Sequence, residues 1–116
     1  MPRALVGTFG AIVRLGVLGV LSDGSVECVA EELAEADLLT RLAASDPDVI
    51  VLNGDDGSSS SLVAEVRDRR PEVTVIVCSN NQLTMRVEPG SAGGHPYETR
   101  LGAEELVGAV RAASAR

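Results

Sequence analysis

Asn53 closes the apolar run Val49-Ile50-Val51-Leu52 and opens the loop Gly54-Asp55-Asp56-Gly57. A carboxamide is uncharged and a poor nucleophile, so it does not attack a phosphoryl donor as a carboxylate does. Asp55 and Asp56 follow on the same loop. Two acids and a backbone carbonyl could hold a divalent ion loosely, but a solvated Asp-Gly turn is the preferred reading of the pair. Ser58 to Ser61 come next. One or two of these hydroxyls suit the N-cap of the following helix, and a kinase-added phosphoryl group would be favoured there. His95, the one histidine, sits in a Gly/Pro-rich stretch with no acid or thiol at ligand spacing. No Gly-x-Ser-x-Gly elbow supports a Ser-His-Asp arrangement. Gly54-x-x-Gly57 and Gly90-x-x-Gly93-Gly94 lack the Gly-Lys-Ser/Thr ending of a phosphate-cradling loop. Cys28 and Cys78 lie far apart in strand-like runs, where a free thiol behaves as a small hydrophobe.

The elements that must position these residues follow from pattern. The 116 residues make one domain, spanning 1–116, large enough to bury a core. With one Phe, one Tyr and no Trp, that core is aliphatic. All ten basic residues are arginine, which excludes any mechanism needing a lysine ammonium. A net charge of −7 argues against a nucleic-acid-binding face, which needs clustered cations. The apolar stretch from Ala4 to Leu21 carries Arg14 near its middle, a costly residue in a bilayer, and no small-residue cleavage site follows. A strand, a turn and a buried helix are the expected structure, which places the protein in the cytoplasm and away from membranes.

Ala4 to Thr8 reads as strand one and Ala11 to Leu21 as helix one. Ser25 to Val29 alternates as a half-exposed edge strand, and Leu33 to Ala44 forms helix two. Val49 to Asn53 is an unbroken β-branched run suited to a central strand buried on both faces. Helix three runs to about Asp68, with Pro71 as its stop. Val73 to Cys78 is strand four, and Glu104 to Ala113 is the last helix. This alternation predicts an α/β fold with helices on both faces of a parallel sheet. One stretch breaks the pattern. Leu83 to Glu88 alternates as a strand or extended segment, and Pro89 to Gly94 cannot sustain a helix.

With this layout, the chain resembles receiver domains of two-component response regulators, over about residues 3 to 113. The likeness is carried by Ile12-Val13-Arg14-Leu15-Gly16-Val17 at helix one and by Pro47 to Asn53 at strand three. It implies a doubly wound, flavodoxin-like sheet of five parallel strands, here with a degenerate fourth helix. It also implies a phosphorylation pocket reduced to a vestige. The acidic pair that holds Mg²⁺ matches Thr8 and Phe9, neither a carboxylate. The phosphoacceptor aspartate matches Asn53. Ser79 matches the hydroxyl after strand four, with Asp55 on the same edge. The lysine after strand five falls in Glu98-Thr99-Arg100, where Arg100 supplies charge with a different geometry. No metal site and no cofactor are expected.

Helix one adds a second expectation. The resemblance makes the positions of Leu15 and Leu18 ordinarily polar, so Arg14, Leu15 and Leu18 form a candidate interface. The function read from the sequence is a pseudo-receiver, not an enzyme. It acts without phosphorylation as a protein-interaction or dimerisation module in signalling or transcription regulation. Its expected partner is a second copy or another regulatory protein, with no direct nucleic-acid contact. The alternative is small-molecule sensing in the vacated pocket.

Overall fold

In the computed structural model, which describes residues 2–55, 59–90 and 94–114, six strands form one sheet flanked by four helices. In chain order these are β1 (Arg3–Gly7), α1 (Ala11–Asp23), β2 (Glu27–Leu33), α2 (Glu35–Ala44), β3 (Val49–Asn53), α3 (Ser59–Arg69), β4 (Thr74–Ser79), β5 (Thr84–Glu88), β6 (Tyr97–Arg100) and α4 (Ala103–Ser114). The strand order is β2-β1-β3-β4-β5-β6. The first four strands are parallel neighbours, while β5 runs antiparallel to both β4 and β6.

Strand alternation sorts the core into two layers. Ala4, Val6, Val49, Val51, Ile76 and Cys78 point to one face, where Val17 and Leu21 of α1 and Leu106 and Val110 of α4 cover them. Leu5, Ile50, Leu52, Val73 and Val75 point to the other, against Leu38 and Leu42 of α2 and Leu62 and Val66 of α3. Residues buried on both faces explain the continuous apolar runs of β3 and β4. Helix α1 has no side-chain cap and no acid in its first turn. Its position rests on packing of Val17 and Leu21, each side chain contributing on the order of 2 kcal/mol by burial.

The α/β architecture agrees with the expectation, but the sheet has six strands and is not wholly parallel. Where a fourth crossover helix would lie, the chain turns through Asn80 to Leu83 and returns as β5 beside β4. The physical reason is the period of two in β5. Met85 and Val87 are buried with the α1/α4 layer, while Thr84, Arg86 and Glu88 face the opposite side. On that side Arg86 is exposed, and Thr84 and Glu88 are partly so. Charged side chains occupy it: Arg86 pairs with Glu88 at 2.7 Å, and Arg67 of α3 reaches Glu88 at 3.7 Å. Residues 91–93, within the Gly-rich stretch, lie outside the described residues.

Candidate functional site

The site expected at the carboxyl edge of the sheet is built from the ends of β3 and β4. Asn53 Oδ1 accepts the backbone N–H of Asp55 at 2.9 Å, closing an Asx turn. The Gly54 N–H donates to the Cys78 carbonyl at 2.8 Å, holding the loop against β4. A Cβ on Gly54 would sit 2.8 Å from Val77 Cγ1 and 3.3 Å from the Cys78 carbonyl oxygen, so a larger residue here would force the Val77 side chain or the loop to shift. Asp55 then reaches across to the next strand. One carboxylate oxygen accepts from Ser79 Oγ and the other from the Asn80 N–H, both at 3.0 Å. Asp55 thus acts as a clasp between the loop after β3 and the turn after β4.

Asn53, Asp55 and Ser79 lie together at this edge, each with a bond that its neighbours supply. Asp56, Gly57 and Ser58 lie outside the described residues, as does the side chain of Ser59. Among the described residues no group of three or more His, Cys, Asp or Glu side chains is placed to hold a metal ion. Thr8 is exposed at the end of β1. Phe9 turns the other way and is buried in the α1/α4 layer, so its ring serves the core and does not line the site. Arg100 lies in the row Ser79-Thr84-Arg100, two strands from Ser79, or about 10 Å at ordinary strand spacing. Its guanidinium pairs with Glu105 at 3.1 Å. Glu105 is held below the usual carboxylate range, first by a backbone N–H at the start of α4 and then by Arg100.

The open groove at this edge, about 360 Å³, runs along β4, β5 and β6 and is lined by Asp55, Ser79, Asn81, Thr84, Arg86 and Glu98. The antiparallel course of β5 brings Arg86, with Glu98 paired to it on β6, into the same groove as Ser79; the sequence pattern gave no sign of Arg86 there. Beneath the groove, burial and the charge of Asp55 push the Cys78 thiol up to about 12. That thiol stays protonated and inert at neutral pH.

The candidate interface on α1 is also redistributed. Leu15 is 66% exposed, while Leu18 is partly buried and packs against the core, as does Val13. Arg14 is half-buried on the same helix. Ile12, at 87% exposure, is the apolar residue that the sequence reading passed over. Its signal was the spacing of three to Leu15, which places both on one helix face.

No family model matches the chain, and no curated protein matches it. Among solved structures it is similar to a response regulator from Thermotoga maritima, with 21% identity and a TM-score of 0.59 over 68% of this chain and 66% of that one. It is also similar to the isolated REC domain of RcsB from Salmonella enterica serovar Typhimurium, solved in the presence of the phosphomimetic BeF3−. There the identity is 21% and the TM-score 0.58, over 67% of this chain and 61% of that one. The matched part is thus less than two thirds of each of those chains. The likeness shows the fold: this is a receiver-like α/β domain.

Proposed function

We propose that this domain is a receiver-like module that works through protein contacts and without phosphoryl transfer, in the cytoplasm, within a signalling or transcription-regulating protein. The observation that supports this reading is the occupancy of the receiver pocket's key places. An amide stands at the end of β3 with its Oδ1 committed to its own loop. One of the two positions for metal-binding acids holds a core phenylalanine, and the other a threonine. With both oxygens of Asp55 engaged by Ser79 and Asn80, the site offers no free hard anionic ligand among the described residues and has little affinity for Mg²⁺, and a phosphoryl group needs that charge compensation. The exposed Ile12 and Leu15 of α1 are the surface we assign to a protein partner.

The test uses a small-molecule phosphoryl donor with Mg²⁺, and separately beryllofluoride with Mg²⁺. Intact mass should show no phosphoryl adduct, and backbone amide resonances around Asn53 and Ser79 should not move. A saturable shift of those resonances would sink the reading. Small-molecule sensing keeps one supporting observation, the 360 Å³ groove. The lining carries Asp55, Arg86 and Glu98, so a ligand would be small, polar and zwitterionic. Concentration-dependent thermal stabilisation by such compounds would favour it, and a flat response would count against it.

A further inference from the structure

β6 ends the sheet, and among the described residues no strand pairs with its outer side. Which of its backbone groups face outward follows from the hydrogen-bond pattern. Leu101 N–H donates to the Leu83 carbonyl at 2.8 Å, in register with the pairs Met85 with Thr99 and Val87 with Tyr97. In an antiparallel ladder such pairs alternate, so Tyr97, Thr99 and Leu101 spend their backbone groups on β5. Glu98 and Arg100 therefore present theirs to the open edge. Pro96, the next outward-facing position, has no N–H to offer.

An incoming strand must bond to Glu98 and Arg100, and their side chains decide which strand fits. If a second copy of β6 pairs antiparallel, three registers satisfy the outward groups. Glu98 opposite Glu98 or Arg100 opposite Arg100 sets like charges face to face, which is destabilising. Glu98 opposite Arg100 gives two opposite-charge pairs related by a two-fold axis at Thr99, with four N–H···O bonds. That register also extends an existing row. Arg86 is already beside Glu98 on β5, so the row becomes Arg86, Glu98 and the second copy's Arg100, with alternating sign. On the other sheet face it sets Tyr97, which is 48% exposed, opposite Leu101 of the second copy. Charge, hydrogen bonding and apolar contact select one register.

We propose that β6 is a self-association edge: a second copy pairs its own β6 antiparallel about a two-fold axis at Thr99, making one twelve-stranded sheet. This names the second copy as an occupant of the interaction module proposed above and rests on that reading. It leaves the α1 face for a different protein.

The experiment combines cross-linking with charge exchange. At the axis, the two Thr99 residues form a non-hydrogen-bonded pair, with Cα atoms about 4.5 Å apart, inside the range a disulfide spans. In a Cys28→Ser background, Thr99→Cys should oxidise to a covalent dimer, and Cys28→Ser alone, with only the buried Cys78, should not. Glu98→Arg and Arg100→Glu should each weaken self-association at least tenfold in sedimentation equilibrium, because each sets like charges opposite. Mixing the two variants should restore a dimer, now a heterodimer, since both pairs become opposite in sign. Arg100→Glu also removes the ion pair with Glu105, and Glu98→Arg sets a cation beside Arg86, so circular dichroism and unfolding of each variant are measured first, and recovery of the dimer on mixing shows that both remain folded. The proposal is overturned by a monomer at all concentrations, or by a dimer that neither variant weakens and Thr99→Cys does not capture. If that dimer instead dissociates in Leu15→Glu, the α1 face holds the second copy, and the interaction-module reading stands without the β6 edge.

Discussion

Replacing Asn53 by Asp would return a carboxylate to the end of β3, yet that charge would have little company. Thr8 offers one neutral oxygen and Phe9 is committed to the core. The Asn53→Asp variant is therefore expected to remain unphosphorylated by small donors, and isothermal titration should detect no Mg²⁺ binding in the millimolar range. Uptake of a phosphoryl group would mean that Asp55 can leave Ser79 and serve as a ligand. Cys78 supplies a second test. Its thiol is pushed from 9.0 up to about 12 by burial first and the charge of Asp55 second. The folded state then holds a proton that the unfolded state loses, so stability falls as pH rises above about 9. Native protein at pH 8 should expose one reactive thiol, the half-buried Cys28, and denatured protein two. Asn53, Asp55 and Ser79 were legible as neighbours because each ends or follows an apolar strand run. Phe9 was not, because a loop residue has no periodicity from which its direction can be read.

Elements were legible where burial imposes a period. The runs of β3 and β4 and the stripe of α4 could each be read from sequence to within two residues at either end. The alternation of Leu83 to Glu88 announced a strand in place of a helix. β6 escaped notice because Tyr97-Glu98-Thr99-Arg100 is exposed at nearly every position, so no apolar pattern marks it. The link between β5 and the body depends on Gly90. Its N–H donates to Thr74 Oγ1 at 3.2 Å, and a Cβ there would collide with the Glu72 carbonyl oxygen. That neighbour is backbone and cannot swing away. Gly90→Ala should cost about 2 kcal/mol or more in chemical denaturation, whereas Gly108→Ala, in open space on α4, should be neutral or stabilising. On α1, Ile12→Glu and Leu15→Glu should leave the unfolding free energy within about 0.5 kcal/mol of wild type. They should abolish capture of a partner that binds this face. A large loss of stability would instead assign both side chains to internal packing.

At the scale of the molecule, two apolar layers are built by the alternation of β1, β3 and β4, and the first four strands lie in the order β2-β1-β3-β4. The departure after β4 follows from the alternation of β5, whose buried Met85 and Val87 require an extended segment, so a tight turn through Asn80 to Leu83 stands where a crossover helix would lie. This substitution changes the distance along the chain over which neighbours must meet. Ser79 pairs with Thr84 after four intervening residues, while Ala4 must find Val49 across more than forty. Closing the longer loop is entropically dearer and slower. Pulse-labelling during refolding should therefore show amides of 75–88 protected before those of β1. Simultaneous protection would mean that the α1/α4 layer collapses as a unit. The hairpin that took the place of a helix thus gives the carboxyl-terminal half its own early nucleus, onto which the parallel strands are later laid.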